Sequence, residues 1–194
     1  MLNELRVSLR PAIMLLLLLA GLTGIAYPAA ITGIAQLAIP YQANGSMIED
    51  RSTVIGSELI AQGFTSPRYF QPRPSAAGKG YDGTNSSATN LAPGDKGLRD
   101  AIAARVAAAR KDGLTKDGVP ADLVTSSASG LDPDLSPEAA FWQVARVARA
   151  RNLSEARVHD LVAGNIDYPL LGLIGEPHVN VLLLNRQLDA ISAK

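Results

Sequence analysis

The apolar stretch at residues 12–26, AIMLLLLLAGLTGIA, decides the architecture of this 194-residue chain. It lies within a longer run, residues 11–48, that contains no Asp, Glu, Lys or Arg. A helix of about 20 mostly apolar residues spans the hydrocarbon core of a bilayer, and a helix satisfies all of its own backbone polar groups there. Residues 11–34 are therefore predicted to form a single transmembrane helix.

A cleaved secretory signal peptide is the alternative for this stretch. Arg6 and Arg10 precede it, and Gly24-Ile25-Ala26 has the small-x-small pattern of a cleavage site. The apolar core of a signal peptide is about 7–15 residues long, whereas apolar character here continues to Ile39. The longer run favours a permanent anchor.

The charges that flank the span predict its orientation. Arg6 and Arg10 precede it and the first charges after it are acidic, and basic residues favour the cytoplasmic side. We therefore expect residues 1–10 in the cytoplasm, followed after the span by a linker at residues 35–51. Residues 52–194 would form a soluble domain on the far, periplasmic side.

The composition excludes several classes of function. Its 18 Lys and Arg balance 18 Asp and Glu, so no basic surface for nucleic acid is expected. Without cysteine there are no disulfides or thiolate nucleophiles, and with two histidines no metal site is expected. Neither a phosphate-binding Gly-x-x-x-x-Gly-Lys loop nor a Gly-x-Ser-x-Gly nucleophile motif is present. We assign no catalytic residues.

Helical and strand-like patterns alternate in residues 52–194, which predicts an α+β (mixed α/β) soluble domain with a small sheet. The predicted helices, in chain order, are residues 98–109 (capped by Asp95 and stopped by Gly113), 136–150, 154–164 and 184–191. The predicted strands are residues 119–124 and 179–184. Residues 71–97 lack apolar periodicity and are predicted to form a long loop, a type that is often functional.

Two polar stretches are candidate binding loops. In residues 69–75, YFQPRPS, two prolines restrain the backbone around Arg73, whose planar guanidinium suits carboxylate or phosphate. Residues 119–133, VPADLVTSSASGLDP, offer hydroxyls, Gly and Asp-Pro. They form either a loop with exposed backbone N–H groups or turns in which Ser and Asp bond their own backbone. The residue types alone favour the turns.

Four stretches together resemble one known family. They are residues 66–75 (SPRYFQPRPS), 122–133 (DLVTSSASGLDP), 143–151 (QVARVARAR) and 175–182 (GEPHVNVL). Their order and spacing, with the single N-terminal span, are similar to those of the C subunit of the Kdp-type, high-affinity potassium-transporting P-type ATPase of bacteria and archaea. Two departures from that pattern are the residues SSATNL at 86–91 and Asp134 after Asp-Pro.

The resemblance implies a non-catalytic accessory subunit of an ATP-driven potassium uptake complex in the bacterial inner membrane. Its partners would be a channel-like potassium-binding subunit and a P-type pump subunit, which it would assemble and stabilise, with potassium as the substrate of the complex. The family's C subunit is described as a catalytic chaperone that raises the pump's affinity for ATP through a glutamine. Gln143 is the matching residue, beside Arg146 and Arg149, and ATP would be shared with the pump.

Two alternatives oppose that nucleotide contact. The predicted orientation places Gln143 outside the cytoplasm, whereas ATP lies inside, so the chain could instead be a structural periplasmic cap over the potassium entrance. Gln143 could also be a solvated position on a helix over residues 136–150. A third hypothesis, an unrelated anchored enzyme that uses Asp122, Ser129 or Asp132, lacks a base partner.

Seven residues are candidates for contacts with partner subunits. Small residues in the span permit close packing of membrane helices, and the two polar stretches offer exposed polar groups. The candidates are Gly21, Gly24, Tyr69, Phe70, Arg73, Ser129 and Asp132.

Overall fold

The computed structural model describes residues 2–111, 118–169 and 172–192. The chain divides into two compact units, Met1–Met47 and Ile48–Lys194.

The first unit is dominated by a continuous helix. It comprises α1 (Leu2–Gly21), a π-helical turn (Leu22–Ala26) and α2 (Tyr27–Ala38), and a short α3 (Pro40–Ala43) follows. Among the described residues, Arg6–Ala38 is the one helix long and apolar enough to cross a membrane, and its apolar window is not buried in the protein. This confirms the predicted N-terminal helix.

The helix is longer than the predicted residues 11–34. It begins at Leu2, so that Pro11 lies inside α1 instead of in its first turn. Leu, Glu and Arg favour helix in the residues before Pro11. A proline removes one backbone hydrogen bond from a helix interior, and the helix continues past that position.

The second unit contains two small sheets within the described residues. The strands β1 (Met47–Asp50) and β2 (Thr53–Ser57) pair with each other. Arg51 and Ser52 join them with positive φ angles of 47° and 68°, as a two-residue type I′ hairpin turn requires.

The other sheet pairs β3 (Asp134–Leu135) antiparallel with β4 (Val179–Asn180). His178, directly before β4, also forms an isolated antiparallel bridge with Asp167. With strands of two residues, most of the second unit cannot depend on sheet hydrogen bonds.

Helices build the core of the second unit. They are α4 (Lys96–Lys111), α5 (Pro137–Trp142), α6 (Val144–Arg151), α7 (Glu155–Ala163) and α8 (Val181–Ser192). Most of the core side chains come from α5 to α8, where apolar residues recur at helical spacing. The largest apolar side chains that are fully buried are Phe70, Leu135, Val147, Val158, Val162, Val179, Leu184 and Leu188. The predicted α+β fold with a small sheet is confirmed.

Local capping signals predicted the helix starts correctly. The hydroxyl of Ser136 accepts from the backbone N–H of Ala139 at 3.3 Å, and that of Ser154 accepts from Arg157 at the same distance. The carboxylate of Asp95 accepts from the N–H of Gly97 at 2.6 Å, at the start of α4. The predicted stop at Gly113 lies outside the described residues.

Both predicted strands are wrong in extent or type. Residues 119–124 contain a 3₁₀ turn, Ala121–Leu123, because Asp122 bonds the backbone N–H of Ser136 instead of leaving an extended chain. The strand predicted at residues 179–184 is limited to β4. The Asn180 side chain accepts from the N–H of Leu183 at 3.2 Å, a capping bond that starts α8 at once.

Gly130 lies in the loop that precedes β3, where it packs closely against the long loop at residues 71–97. Its φ is +67°, and a Cβ atom there would lie 2.6 Å from the carbonyl oxygen of Ser87 and 2.7 Å from the N atom of Ala77. These are backbone atoms, so they cannot move aside as a flexible side chain could. A side chain at position 130 therefore has to separate the two loops.

We predict that Gly130→Ala lowers the free energy of unfolding by roughly 2–5 kcal/mol, through backbone strain plus overlap. The matched control is Gly118→Ala, because Gly118 has a φ of +79° but no atom within 4 Å of the added Cβ. That control should lose only about 1 kcal/mol. Denaturation of the full chain in detergent, followed by fluorescence of the single tryptophan, measures both, and equal losses would contradict the clash.

Candidate functional site

The backbone of residues 67–71 is bound by polar side chains in place of a neighbouring strand. The Asn185 carboxamide accepts from the N–H of Phe70 at 2.8 Å and donates to its carbonyl at 2.9 Å. Gln143 does the same for Gln71, accepting at 2.8 Å and donating at 3.0 Å. Each carboxamide thus satisfies both backbone groups of one residue, as in a hydrogen-bonded pair of antiparallel strands.

Two arginines complete this arrangement. Arg146 donates to the carbonyl oxygens of Pro67 and Tyr69, at 2.7 and 3.1 Å. Arg151 donates to the carbonyl of Arg68 at 2.7 Å, and its guanidinium lies 4.7 Å from the centre of the Tyr69 ring. We call Gln143, Arg146, Arg151 and Asn185 the polar clamp.

The clamp residues are buried, and their polar groups have partners within the chain. Gln143 and Asn185 are each 2% exposed. Arg146 donates to the carboxamide oxygen of Gln143 at 2.6 Å, and Arg151 pairs with Asp189 at 2.8 Å. Gln143 and Arg146 are thus bonded directly, whereas Arg151 and Asn185 are linked to them through the shared backbone of residues 67–71.

The helix predicted over residues 136–150 is divided at Gln143. Helix α5 ends at Trp142, and α6 begins at Val144. The expectation that Gln143 is a solvated helix position is wrong, because its side chain points to the backbone of Gln71 and is buried. A sequence pattern that counts helical turns cannot detect a bond to a residue 72 positions away.

Of the three predicted nucleotide-binding residues, the structure brings two together. Gln143 and Arg146 are hydrogen-bonded in the clamp, whereas Arg149 is exposed and lies outside it. All four hydrogen-bonding positions of the Gln143 carboxamide are occupied, the last by a 3.4 Å bond from its nitrogen to the carbonyl of Ala139.

Among the predicted partner contacts, Phe70 is fully buried in the core. Tyr69 donates its hydroxyl to Asp189 at 3.1 Å. Both therefore serve the anchoring of residues 67–71 within this chain.

Arg73 ties the proline-rich stretch to the loop before β3. Its guanidinium lies 3.1 Å from a carboxylate oxygen of Asp132 and 3.7 Å from one of Asp122. The other oxygen of Asp122 accepts from the N–H of Ser136, where α5 begins. Arg73 thereby holds the loop against the start of a core helix.

Ser129 and Asp132 make the turn contacts predicted for this loop. The Ser129 hydroxyl accepts from the N–H of Leu131 at 3.1 Å, and Asp132 accepts from that of Asp134 at the same distance. The Ser129 carbonyl accepts from Ser87 at 3.0 Å. In the described contacts the Ser129 hydroxyl bonds no histidine or carboxylate.

Two titratable groups near these loops have raised pKa values. Burial raises the pKa of Asp134, and nearby His178 opposes that shift. Burial likewise raises the pKa of Tyr81, whose hydroxyl donates to the carbonyl of Arg73 at 2.9 Å. Within the described residues, no three His, Asp or Glu side chains lie together so that they could hold a metal ion.

A pocket of about 540 Å³ lies beside the clamp. Its walls include apolar and aromatic side chains, and two guanidinium groups also line it. Its lining residues include Phe64, Tyr81, Arg105, Ala109, Gln143 and Arg146.

The glycines of the membrane-length helix have open surroundings. No atom lies within 4 Å of a Cβ built at Gly21 or Gly24. Gly24 lies in the π-helical turn, and Gly21 directly precedes it. The Thr23 hydroxyl in the same turn donates to the carbonyl of Leu19 at 2.8 Å. Such π turns are frequent at functional sites.

Sequence reasoning missed Asn185, Arg151 and Asp189. A signal for Asn185 was present, because it follows Leu184 within the apolar pattern of α8. A polar residue on a buried face requires a hydrogen-bond partner. The two charged residues had no comparable signal, since isolated charges on a helix are usually solvated.

These features define a class of protein: in the part of the chain that the structure describes, one apolar helix of membrane-spanning length is joined to a small α+β domain whose buried polar groups bind its own backbone. Residues 9–190 match the model of the family described as KdpC: K+-transporting ATPase, c chain. The chain belongs to this family, as the sequence resemblance indicated, and is an accessory subunit of a potassium-transporting ATPase.

Curated relatives agree with this assignment. A Rhodospirillum rubrum protein named potassium-transporting ATPase KdpC subunit is 55% identical over 183 residues, which cover 94% of this chain and 95% of the relative. Proteins with the same name from Myxococcus xanthus and Allorhizobium ampelinum are each 55% identical, over 170 and 186 residues. These alignments cover 87% and 95% of this chain, and 81% and 97% of the relatives.

We predict that Arg73→Lys lowers the free energy of unfolding by roughly 1–3 kcal/mol and weakens assembly of the complex. A lysine ammonium cannot bind both carboxylates as the guanidinium does. Arg157→Lys is the control, because Arg157 is exposed and its one described side-chain bond is 3.4 Å long, to the carbonyl of Ile191. It should change stability by less than about 0.5 kcal/mol. Denaturation of both variants tests this, and similar losses would show that the Arg73 fork is unimportant.

Proposed function

We propose that this chain is an assembly subunit that joins the channel-like and pump subunits and covers the outer potassium entrance without contacting nucleotide. One observation carries this proposal: the Gln143 carboxamide uses all of its hydrogen-bonding positions within the chain. Turning it towards a nucleotide would leave the backbone N–H and carbonyl of Gln71 without partners. Each such loss costs about 1–3 kcal/mol.

The charge pattern supports an outer location for the domain. Arg6 and Arg10 lie at the N-terminal end of the span, and the first acidic residues follow its other end. By the positive-inside bias, the N-terminus would be cytoplasmic, and the second unit, Ile48–Lys194, would lie on the outer side of the bacterial inner membrane. ATP would then be on the opposite side. The complex transports potassium. This chain would stabilise the complex and would not supply its potassium selectivity filter.

The membrane helix supports the assembly role. None of its apolar window is buried within the chain, so its surface is available to a neighbouring helix. Packing drives association of helices in lipid, and small residues allow close approach. Gly21 and Gly24 are the proposed points of closest approach to the channel-like subunit.

A second candidate function is the catalytic chaperone that raises the pump's ATP affinity. The pocket beside the clamp favours it, because Gln143 and Arg146 line a space of about 540 Å³ together with aromatic rings. In that case the domain would have to lie in the cytoplasm, against the charge pattern.

ATP titration of potassium-stimulated hydrolysis separates the two candidates. We expect Gln143→Ala to leave the apparent ATP requirement unchanged in complexes with matched subunit content, while lowering the stability of the subunit. If Gln143 contacted ATP, the loss of one or two bonds would raise the requirement roughly five- to a hundredfold. The control is Asn185→Ala, which removes an equivalent clamp carboxamide with no proposed nucleotide contact. A rise confined to the Gln143 variant would overturn our preference.

The membrane contact is tested by the double variant Gly21→Leu, Gly24→Leu. Bulky side chains at these positions should prevent close helix approach, so that the subunit is lost from the detergent-purified complex. Gly33→Leu is the control in the same helix, because Gly33 also has no atom within 4 Å of an added Cβ. Unchanged co-purification of the double variant, or an equal loss with Gly33→Leu, would contradict the proposed contact.

A further inference from the structure

The apolar stripe of α4 is only half covered by this chain. Leu98, Ile102, Val106 and Ala109 recur at helical spacing, and each is half-buried. None of the α4 side chains that the structure describes is buried, whereas α6 and α8 bury several of theirs. A surface helix normally directs such a stripe into a core, so the stripe of α4 has room for further contacts.

The pocket lies at the C-terminal end of this stripe. Arg105, Ala108 and Ala109 of α4 form one wall, and Phe64 and Tyr81 lie among the residues of the others. Its volume of about 540 Å³ is within the range of specific binding pockets. The space is therefore part of the incomplete contact between α4 and the rest of the second unit.

The charge of the pocket is positive. Two guanidinium groups, those of Arg105 and Arg146, line it, and no Asp or Glu is among its described lining residues. Arg146 is used by the clamp. Arg105 donates from Nη1 to the carbonyl of Val124 at 2.9 Å, which is one of five N–H donors in a guanidinium. A negatively charged occupant would complement this lining.

We propose that the pocket binds an acidic segment of a neighbouring subunit, in which one Asp or Glu stands between apolar residues. The carboxylate pairs with Arg105, and the apolar neighbours pack on Phe64, Tyr81 and the stripe of α4. This inference rests on the proposed function as an assembly subunit and specifies the contact made by its extramembrane domain.

The length of the stripe favours a peptide segment over a small anion. Residues 98–109 extend about 16 Å along the helix at 1.5 Å per residue. A small anion bound to Arg105 would leave Leu98 and Ile102 as exposed as before. An extended segment covers the stripe and places its carboxylate in the pocket at the same time.

Photo-crosslinking in the assembled complex tests the location. A benzoylphenylalanine at position 109, which lines the pocket, should crosslink to the channel-like or pump subunit, at a segment containing Asp or Glu beside apolar residues. The same group at position 107 is the control, because Ala107 is exposed and does not line the pocket. Crosslinks from position 109 only within this chain, or to a segment without an acidic residue, would overturn the proposal.

Charge reversal tests the chemistry. Arg105→Glu should raise the dissociation rate of the subunit from the complex by roughly tenfold or more, the usual effect of losing a buried charge pair. Arg110→Glu, on an exposed position of the same helix, should have little effect. A reciprocal Lys at the crosslinked acidic residue should restore binding to the Arg105→Glu subunit. Equal dissociation rates for the two reversals would refute the pairing.

Further controls separate this inference from the proposed function. Ala109→Trp should fill the pocket and weaken binding even if Arg105→Glu folds poorly, whereas Ala107→Trp should not. Native mass spectrometry that finds a small anion retained by the wild-type complex but absent from Arg105→Glu would overturn the peptide assignment. If the pocket variants assemble normally while the Gly21 and Gly24 double variant does not, only the pocket inference fails.

Discussion

The second unit depends on how the backbone of residues 67–71 is satisfied. Phe70 of this segment is buried in the core and the segment's backbone is bound by side chains of α6 and α8, yet no strand pairs with it in the described structure. Buried N–H and carbonyl groups need hydrogen-bond partners, and here carboxamides and guanidiniums supply them. Buried Phe70 and the break between α5 and α6 at Gln143 both lie at this contact. The strands β3 and β4 are too short to organise the domain alone.

The polar clamp also gives a physical meaning to the spacing of the sequence motifs. Residues 66–75 and 143–151 are distant in sequence, but one provides the backbone and the other provides most of the side chains that bind it. Arg73 extends the first motif to the loop at residues 122–133 through Asp122 and Asp132. The motifs are thus complementary parts of one internal interface. A residue such as Gln143 can be essential to that interface without meeting any ligand.

Local sequence signals predicted much of this fold, but the contacts between residues far apart in the sequence could not be predicted from them. The apolar run, the capping residues Ser136 and Ser154, and the turn chemistry of the loop before β3 act within a few residues, so the sequence displays them directly. The alternating apolar residues after Val179 predicted a longer strand, but the capping bond of Asn180 ends the strand and starts α8. The burial of Gln143 and the contribution of Asn185 arise from partners 72 and 115 positions away, which no local pattern contains.

The distance along the chain between Phe70 and Asn185 also bears on the order of folding. Phe70 is made early in synthesis, but the carboxamide that binds its backbone is made 115 residues later, near the C-terminus. Contacts of such separation form slowly, because the long loop between them must first be closed. The nascent domain therefore remains open until α8 emerges, and its unpaired inner segment is exposed to chaperones and proteases during that interval. A shortened chain that lacks α8 would keep its N-terminal apolar helix and lose the means to close its core.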